Sequence, residues 1–278
     1  MNEAMVARFR ERNADECPRH LCGLFLAAFF TLFGFVGNAR AGDAPPSLAG
    51  ERVDLIAGIA FAADRPKLFG IRMVMKDGWH TYWRSPGDSG IAPRFDWSGS
   101  KNVAEVKLLW PAPERFDAEG DMTVGYRSEV IWPVLVRAAD AGKPVTLDLK
   151  MSYGICSDIC VPGEAHLTLA QTARDDGAAI RRALSRVPAA PKNESDVSAR
   201  LDGKSLLVTL KGAHETPALI VEGPRGVWFG KPEATASGGI VNYAVPVEMD
   251  AGKSLKGATV VLTFSGRETA IEASRKLE

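Results

Sequence analysis

Cysteine is scarce in this 278-residue chain, and neither sign of charge is in excess. Four cysteines are too few for a disulfide scaffold and too scattered for an all-cysteine zinc site. Lys plus Arg and Asp plus Glu both total 34, so the formal net charge is zero. A balanced chain has no global attraction for nucleic acid or anionic lipid, and no Lys/Arg cluster supplies a local one. Beyond the amino-terminal leader, no apolar run approaches the ~20 residues that span a bilayer. With 46% apolar and 24% charged residues, wholesale disorder is also excluded. A mass of 29.9 kDa fits one large domain or two ordinary ones.

The amino terminus reads as an address. Arg8, Arg10, Arg12 and Arg19 precede an uncharged stretch at 21–39, whose apolar core is LCGLFLAAFFTLFGFV at 21–36. Ala39-Arg40-Ala41 follows, a small-x-small cleavage pattern. Residues 1–41 are therefore expected to be a secretory signal peptide, with a signal anchor as the alternative. Cleavage would remove Cys17 and Cys22 and leave 29 basic and 30 acidic residues. The mature chain would keep only Cys156 and Cys160, in a compartment that permits disulfides.

The remainder has the pattern of an all-β protein. Val145, Leu147, Leu149 and Met151 alternate with Thr146, Asp148 and Lys150, the period of a half-buried strand. Similar segments occur at 53–62, 69–75, 103–110, 130–136, 206–210 and 259–264, separated by turn residues such as Asp77-Gly78, Asp202-Gly203 and Gly238-Gly239. Many short strands with such turns predict antiparallel sandwiches. A helix is expected at about 178–187, followed by a Pro/Ala-rich linker at 188–193. The pairs Trp110-Pro111 and Trp132-Pro133 predict edge strands or strand ends, because proline cannot donate to a ladder.

A faint repeat supports two sandwiches. Pro133-Val134, the run 141–143 and Ser152 to Gly154 are echoed by Pro246-Val247, the run 251–253 and Ser265-Gly266, at offsets of 110 to 113 residues. The expected organisation is a leader at 1–41, a cysteine-bearing sandwich at 42–174, a helix and linker at 175–195, and a second sandwich at 196–278. The second copy carries no cysteine, so the chemistry belongs to the first.

The cysteine pair is the most informative feature. Three residues separate Cys156 from Cys160. On one extended strand their Cα atoms would lie about 13 Å apart, too far for a disulfide. A turn or one helical turn brings them to about 6 Å, so residues 154–162 are expected to form a tight loop or helical turn. A ring this small stabilises by only ~2 kcal/mol on loop-entropy grounds, so a structural staple is the weaker reading beside thiol exchange. Cu(I) binding, with Met151 or His166 as further donors, stays open. Asp158 would raise a neighbouring thiol pKa and slow attack.

Other candidates carry less. GDSG at 87–90 matches the serine-protease nucleophile tetrapeptide, but His80 is too close in sequence, and a turn fits the composition better. Cys160 with His80 as a hydrolytic pair has no supporting local signature. On a strand, His80 and Tyr82 would share one face, opposite Trp79, Thr81 and Trp83.

Three stretches carry a family resemblance: KDGWHTYWRSPGDSG at 76–90, WPAPERF at 110–116 continuing to GYRSE at 125–129, and YGICSDICVP at 153–162. Together they resemble the amino-terminal periplasmic domain of the DsbD thiol:disulfide interchange proteins, in particular the ScsB-like branch. The resemblance implies an immunoglobulin-like sandwich carrying a redox-active Cys156/Cys160 pair, so the expected whole is two immunoglobulin-like antiparallel β-sandwiches. It also implies a periplasmic location. Electrons would come from a membrane-embedded DsbD/CcdA-like donor and pass to periplasmic thioredoxin-like clients, in cytochrome c maturation or in recycling of disulfide isomerases and reductases. By resemblance, Cys160 forms the mixed disulfide, Tyr82 lines the site, and the 121–125 segment is a cap loop. His80 and Asp121 are weaker candidates for shielding or proton handling. No cofactor, metal or nucleic-acid partner is expected. The cysteine spacing is shorter than in the best-studied members, and Met122-Thr123-Val124 stands where an aromatic cap belongs. The transmembrane and thioredoxin-like parts are not in this sequence, so the electron donor is expected to be a separate protein. The rival reading is a non-redox periplasmic binding or copper-handling module with a structural disulfide.

Overall fold

The computed structural model describes residues 50–58, 66–87, 90–118, 121–170 and 176–278. The expected signal peptide at 1–41 lies outside these residues, as do the end of the 53–62 segment and the middle of the GDSG tetrapeptide. Among the described residues, no helix is long and apolar enough to cross a membrane.

Among the described residues, ten strands make the first sandwich: β1 (Arg52–Ala57), β2 (Lys67–Val74), β3 (His80–Gly87), β4 (Arg94–Asp96), β5 (Val103–Leu108), β6 (Glu114–Ala118), β7 (Asp121–Arg127), β8 (Glu129–Ala138), β9 (Thr146–Cys156) and β10 (Cys160–Ala170). One sheet has the order β1-β2-β8-β5. The facing sheet runs β10-β9-β3-β7-β6, with β4 also paired to β9. Among the described residues, the strand pairings in both sheets are antiparallel. Alternation explains the layering. Leu147, Leu149, Met151, Tyr153 and Ile155 of β9 face inward and meet Ile71, Met73, Trp83 and Trp132 in the core.

The helix α1 (Gly177–Ser185) lies close to its expected position. Its fully buried Ile180 packs on Ile56 and Leu68, covering the outer face of the first sheet. Burial of that side chain stabilises by about 2 kcal/mol.

The second sandwich contains β11 (Val197–Asp202), β12 (Ser205–Lys211), β13 (Ala218–Glu222), β14 (Val227–Phe229), β15 (Glu233–Ser237), β16 (Ile240–Met249), β17 (Thr259–Ser265) and β18 (Ala270–Lys276). One sheet has the order β11-β12-β16-β14, with β15 paired to β16, and the other is β13-β17-β18. Its separate core includes Leu206, Tyr243, Leu262 and Phe264. The strand order repeats that of the first sandwich. β11-β12-β16-β14 corresponds to β1-β2-β8-β5, and β18-β17-β13 corresponds to β10-β9-β3.

Two local expectations differ from the structure. Pro133 lies on β8, an interior strand between β2 and β5, not on an edge. Its carbonyl accepts the Leu109 N–H just past the end of β5, so its nitrogen, on the same side of the strand, lies at the end of the β5 ladder, where a missing donor is tolerated. Residues 154–162 are mostly strand, since Gly154 pairs with Pro162 across β9 and β10. Pro162 is tolerated there because β10 is the sheet edge. The sequence hides β10 because Gly163 and Ala165 occupy inward positions and weaken the alternation.

Candidate functional site

The site lies on the outer face of the second sheet, the face turned away from the Trp83 and Ile155 core. Core residues of β9 have odd numbers, so Gly154 and Cys156 point outward. On β3 the same rule sends Thr81 and Trp83 inward, both fully buried, and His80 and Tyr82 outward. That is the shared face expected from the sequence. Register then places His80 opposite both Cys156 and Arg127, and Tyr82 opposite Gly125.

Cys156 and Cys160 form a disulfide between directly paired strand residues, with Cα atoms 4.1 Å apart. The turn needed to join them consists of Ser157, Asp158 and Ile159, with Ser157 N–H bonded to Ile159 O at 3.1 Å. The two sulfurs are not equivalent. Cys156 is buried and Cys160 is exposed. An approaching thiolate therefore meets Cys160 first.

Tyr82 spans the pair. Its hydroxyl is 2.7 Å from Cys156 Sγ and 3.3 Å from Cys160 Sγ. Disulfide sulfurs carry no proton, so Tyr82 donates. Burial raises the Tyr82 pKa, which keeps this donor protonated at neutral pH. The ring fits because two neighbours lack side chains. A Cβ on Gly90 would sit 2.5 Å from the Tyr82 ring, and one on Gly154 would sit 3.2 Å from it. Thr81 donates to Gly154 O at 2.8 Å and ties β3 to β9 beside the pair.

His80 is buried and meets Tyr82 edge-on at 5.4 Å between centroids. Its other neighbour is Phe116 of β6, at 4.7 Å. The Arg127 guanidinium lies 4.3 Å over the opposite partner of that contact, the Phe116 ring. Burial first, and the Arg127 charge second, lower the His80 pKa and favour the neutral imidazole. Phe116 is the residue that the sequence reading missed. An aromatic does stand at this site, but it comes from β6, across the hairpin from Thr123, rather than from the 121–125 segment. The signal was present, since Phe116 closes the WPAPERF motif, but only pairing with β7 reveals its neighbour.

Asp121 opens β7, opposite Ala118, and its side chain is not among the described ones. The suggested copper donors are not brought to the cysteines. Met151 is buried in the core, and His166 bonds Asp148 at 2.9 Å, six residues along β10 from Cys160. Among the described residues, no group of three or more His, Cys, Asp or Glu could hold a metal.

Chemically, the arrangement offers one accessible sulfur, one buried sulfur and a proton donor on both. Residues 54–172 match the model for the N-terminal domain of the thiol:disulfide interchange protein DsbD, and residues 186–278 match a domain of unknown function (DUF8393). No curated protein matches the chain. Among solved structures, the N-terminal periplasmic domain of ScsB from Proteus mirabilis is similar at 23% identity and a TM-score of 0.64, over 82% of this chain and 91% of that one. The DsbD N-terminal domain of Neisseria meningitidis in the reduced form matches at 20% identity and a TM-score of 0.25, over 42% of this chain and 83% of that one. The first likeness spans both sandwiches and establishes an immunoglobulin-like, all-β fold. The likeness to the DsbD amino-terminal domain family therefore lies in residues 54–172 of this chain, the sandwich that carries the cysteine pair.

Proposed function

We propose that this protein is a periplasmic thiol:disulfide interchange carrier, with Cys156 and Cys160 as its redox pair. The observation that carries the reading is the asymmetry of the disulfide: an exposed Cys160 sulfur beside a buried Cys156 sulfur that receives the Tyr82 hydrogen bond.

In the loading step, a thiolate of the reduced donor attacks Cys160 Sγ along the S–S axis. The S–S bond breaks and its electron pair moves to Cys156, where the Tyr82 O–H stabilises the new thiolate. The donor's second thiolate then attacks its own sulfur in the mixed disulfide. It expels Cys160 as a thiolate and leaves the donor oxidised. Two electrons have moved, and two protons from solvent complete the dithiol. Delivery reverses this path: Cys160 attacks the client disulfide, and Cys156 resolves the mixed disulfide. Tyr82 covers the buried sulfur, with His80 packed against Tyr82 and Phe116 against His80. Asp121 is retained as a candidate for proton handling.

The donor is a membrane-embedded DsbD/CcdA-like protein, and the clients are periplasmic thioredoxin-like proteins. Cytochrome c maturation and recycling of disulfide isomerases or reductases are the pathways that use such clients. The leader at 1–41 is the export signal that places the protein in this compartment.

Equilibration in glutathione and dithiothreitol buffers, with alkylated thiols read by mass spectrometry, tests the reading. A potential near roughly −200 mV with rapid exchange supports it, and Cys156→Ser should then trap partners through Cys160. A potential below about −300 mV with slow exchange overturns it and leaves a stapled binding module.

A further inference from the structure

Past Tyr82, β3 leaves its ladder. It pairs with β9 only at His80 and Thr81. Its pairing with β7 breaks after Tyr82↔Gly125 and resumes at Gly87↔Thr123. The residues between have no ladder partner, and their two large side chains go opposite ways. Trp83 enters the first core, fully buried. Arg84 crosses to the second sandwich, with its guanidinium lying 4.3 Å from the Trp83 ring centroid. There it meets two carboxylates. Arg84 Nη2 donates to Glu222 of β13 at 2.7 Å and also to Glu272 of β18, and Arg84 Nε donates to Glu222 at 3.1 Å. Thr263 of β17 donates to the same Glu272 carboxylate at 3.1 Å. All three charged side chains are about one-quarter to one-third exposed.

The second sandwich also reaches the other wall of the site. Ser265 donates to the carbonyl of Pro113, the residue that precedes β6 and its Phe116. The two strands that present Tyr82, His80 and Phe116 are thus each fastened to the second sandwich close to the presented residues, β3 just after Tyr82 and β6 just before its first residue. The helix–linker junction adds a separate tie, where Arg186 donates to the carbonyls of Gly266 and Arg267.

We propose that the second sandwich is a working part of the redox centre: Glu222 and Glu272 grip Arg84 and thereby hold the unladdered turn of β3 so that the Tyr82 hydroxyl stays on both sulfurs. Arg84 is a positioning residue, acting through Tyr82 and touching neither cysteine. This inference rests on the exchange chemistry proposed above and assigns a task to the domain of unknown function. Bidentate arginine suits it, because a planar guanidinium held by two carboxylates fixes direction as well as distance.

The test is the rate at which dithiothreitol reduces the disulfide in the folded protein, so no biological partner is needed. A dithiothreitol thiolate attacks Cys160 Sγ, and the electron pair of the broken bond goes to Cys156. The second thiol closes the oxidised ring and releases Cys160. Tyr82→Phe removes the donor to the leaving sulfur and should slow reduction roughly tenfold. Arg84→Gln, and separately the double variant Glu222→Gln/Glu272→Gln, should slow it by roughly three- to tenfold. In a Tyr82→Phe background Arg84→Gln should add less than about twofold, because its effect has lost its carrier. Arg186→Gln cuts a different tie between the sandwiches and should leave the rate within about twofold. If Arg84→Gln lowers only thermal stability, or slows reduction equally with and without the Tyr82 hydroxyl, the positioning role is wrong. If the wild-type disulfide itself resists dithiothreitol, the exchange reading fails, and this inference with it. A wild type that exchanges while the Arg84 variants behave normally overturns this inference alone.

Discussion

At the residue scale, the site is defined as much by missing side chains as by present ones. Gly154 shows this most sharply. An added Cβ would stand 2.8 Å from Ile91 Cβ and 3.2 Å from Tyr82 Cε2. Gly154→Ala should therefore destabilise the protein by about 1–3 kcal/mol and displace the Tyr82 ring. Urea unfolding reads the first effect, and slower reduction by dithiothreitol reads the second. His80 makes a pH prediction. Its folded pKa lies below the ordinary value of 6.5 because burial, assisted by Arg127, disfavours the charged imidazolium. The unfolded chain then binds the proton more readily. Its contribution to stability is full above about pH 6.5 and declines as the pH falls below it. Urea midpoints measured between pH 5 and pH 8 should show this decline, and His80→Phe should flatten it. The His80–Tyr82 pairing was legible beforehand from strand parity alone. Phe116 was not, because its approach to His80 depends on β6 pairing with β7.

At the scale of elements, one hairpin serves two purposes. In the first sandwich, β9 and β10 are joined by a three-residue tip, and the disulfide bridges the two strand residues that flank it. In the second, the corresponding β17–β18 hairpin has no cysteine, meets the first sandwich with Ser265 and meets the helix–linker junction with Gly266 and Arg267. Its end is organised by Glu215, whose carboxylate accepts the backbone N–H groups of Arg267, Glu268 and Thr269. The hydrogen bonds to Thr269 and Glu268 are the leading causes that push the Glu215 pKa down to about 2 from 4.5. A depressed carboxylate contributes stability above its unfolded pKa and loses it as the pH falls through the folded one. The stability gap between wild type and Glu215→Gln should be full at pH 6. It should narrow between pH 4.5 and pH 2, followed by urea denaturation. The faint repeat in the sequence marked this correspondence, since Pro133 and Pro246 lie on the matching strands β8 and β16. Sequence spacing could not show that the copies dock through the hairpin end, because the contacts run to backbone carbonyls that any residue supplies.

At the scale of the molecule, the two sandwiches have separate cores, yet Ile220 of β13 belongs to the first core rather than the second. It is 3% exposed and sits two residues from Glu222, so apolar packing and the Arg84 ion pairs share one strand. Ile220→Ala should cost about 2–4 kcal/mol. The loss should appear in the burial signals of Trp83 and Trp132, although the substitution lies in the other sandwich. Fluorescence-detected urea unfolding, with Trp132→Phe to separate the signals, checks this. If only the second core responded, the sandwiches would be energetically independent.

The sequence by itself determined the class of the fold, singled out the Cys156/Cys160 pair and set the face shared by His80 and Tyr82. Those properties follow from local rules: period-two alternation, turn residues, and a cysteine spacing that one extended strand would hold too far apart for a disulfide. The tertiary structure decided which sulfur is exposed, that Tyr82 donates to both sulfurs, that Phe116 supplies the aromatic wall, and that Arg84 is held from the second sandwich. Each of these depends on partners 36 to 188 positions apart in the chain, brought together only by strand pairing and the packing of one sandwich on the other.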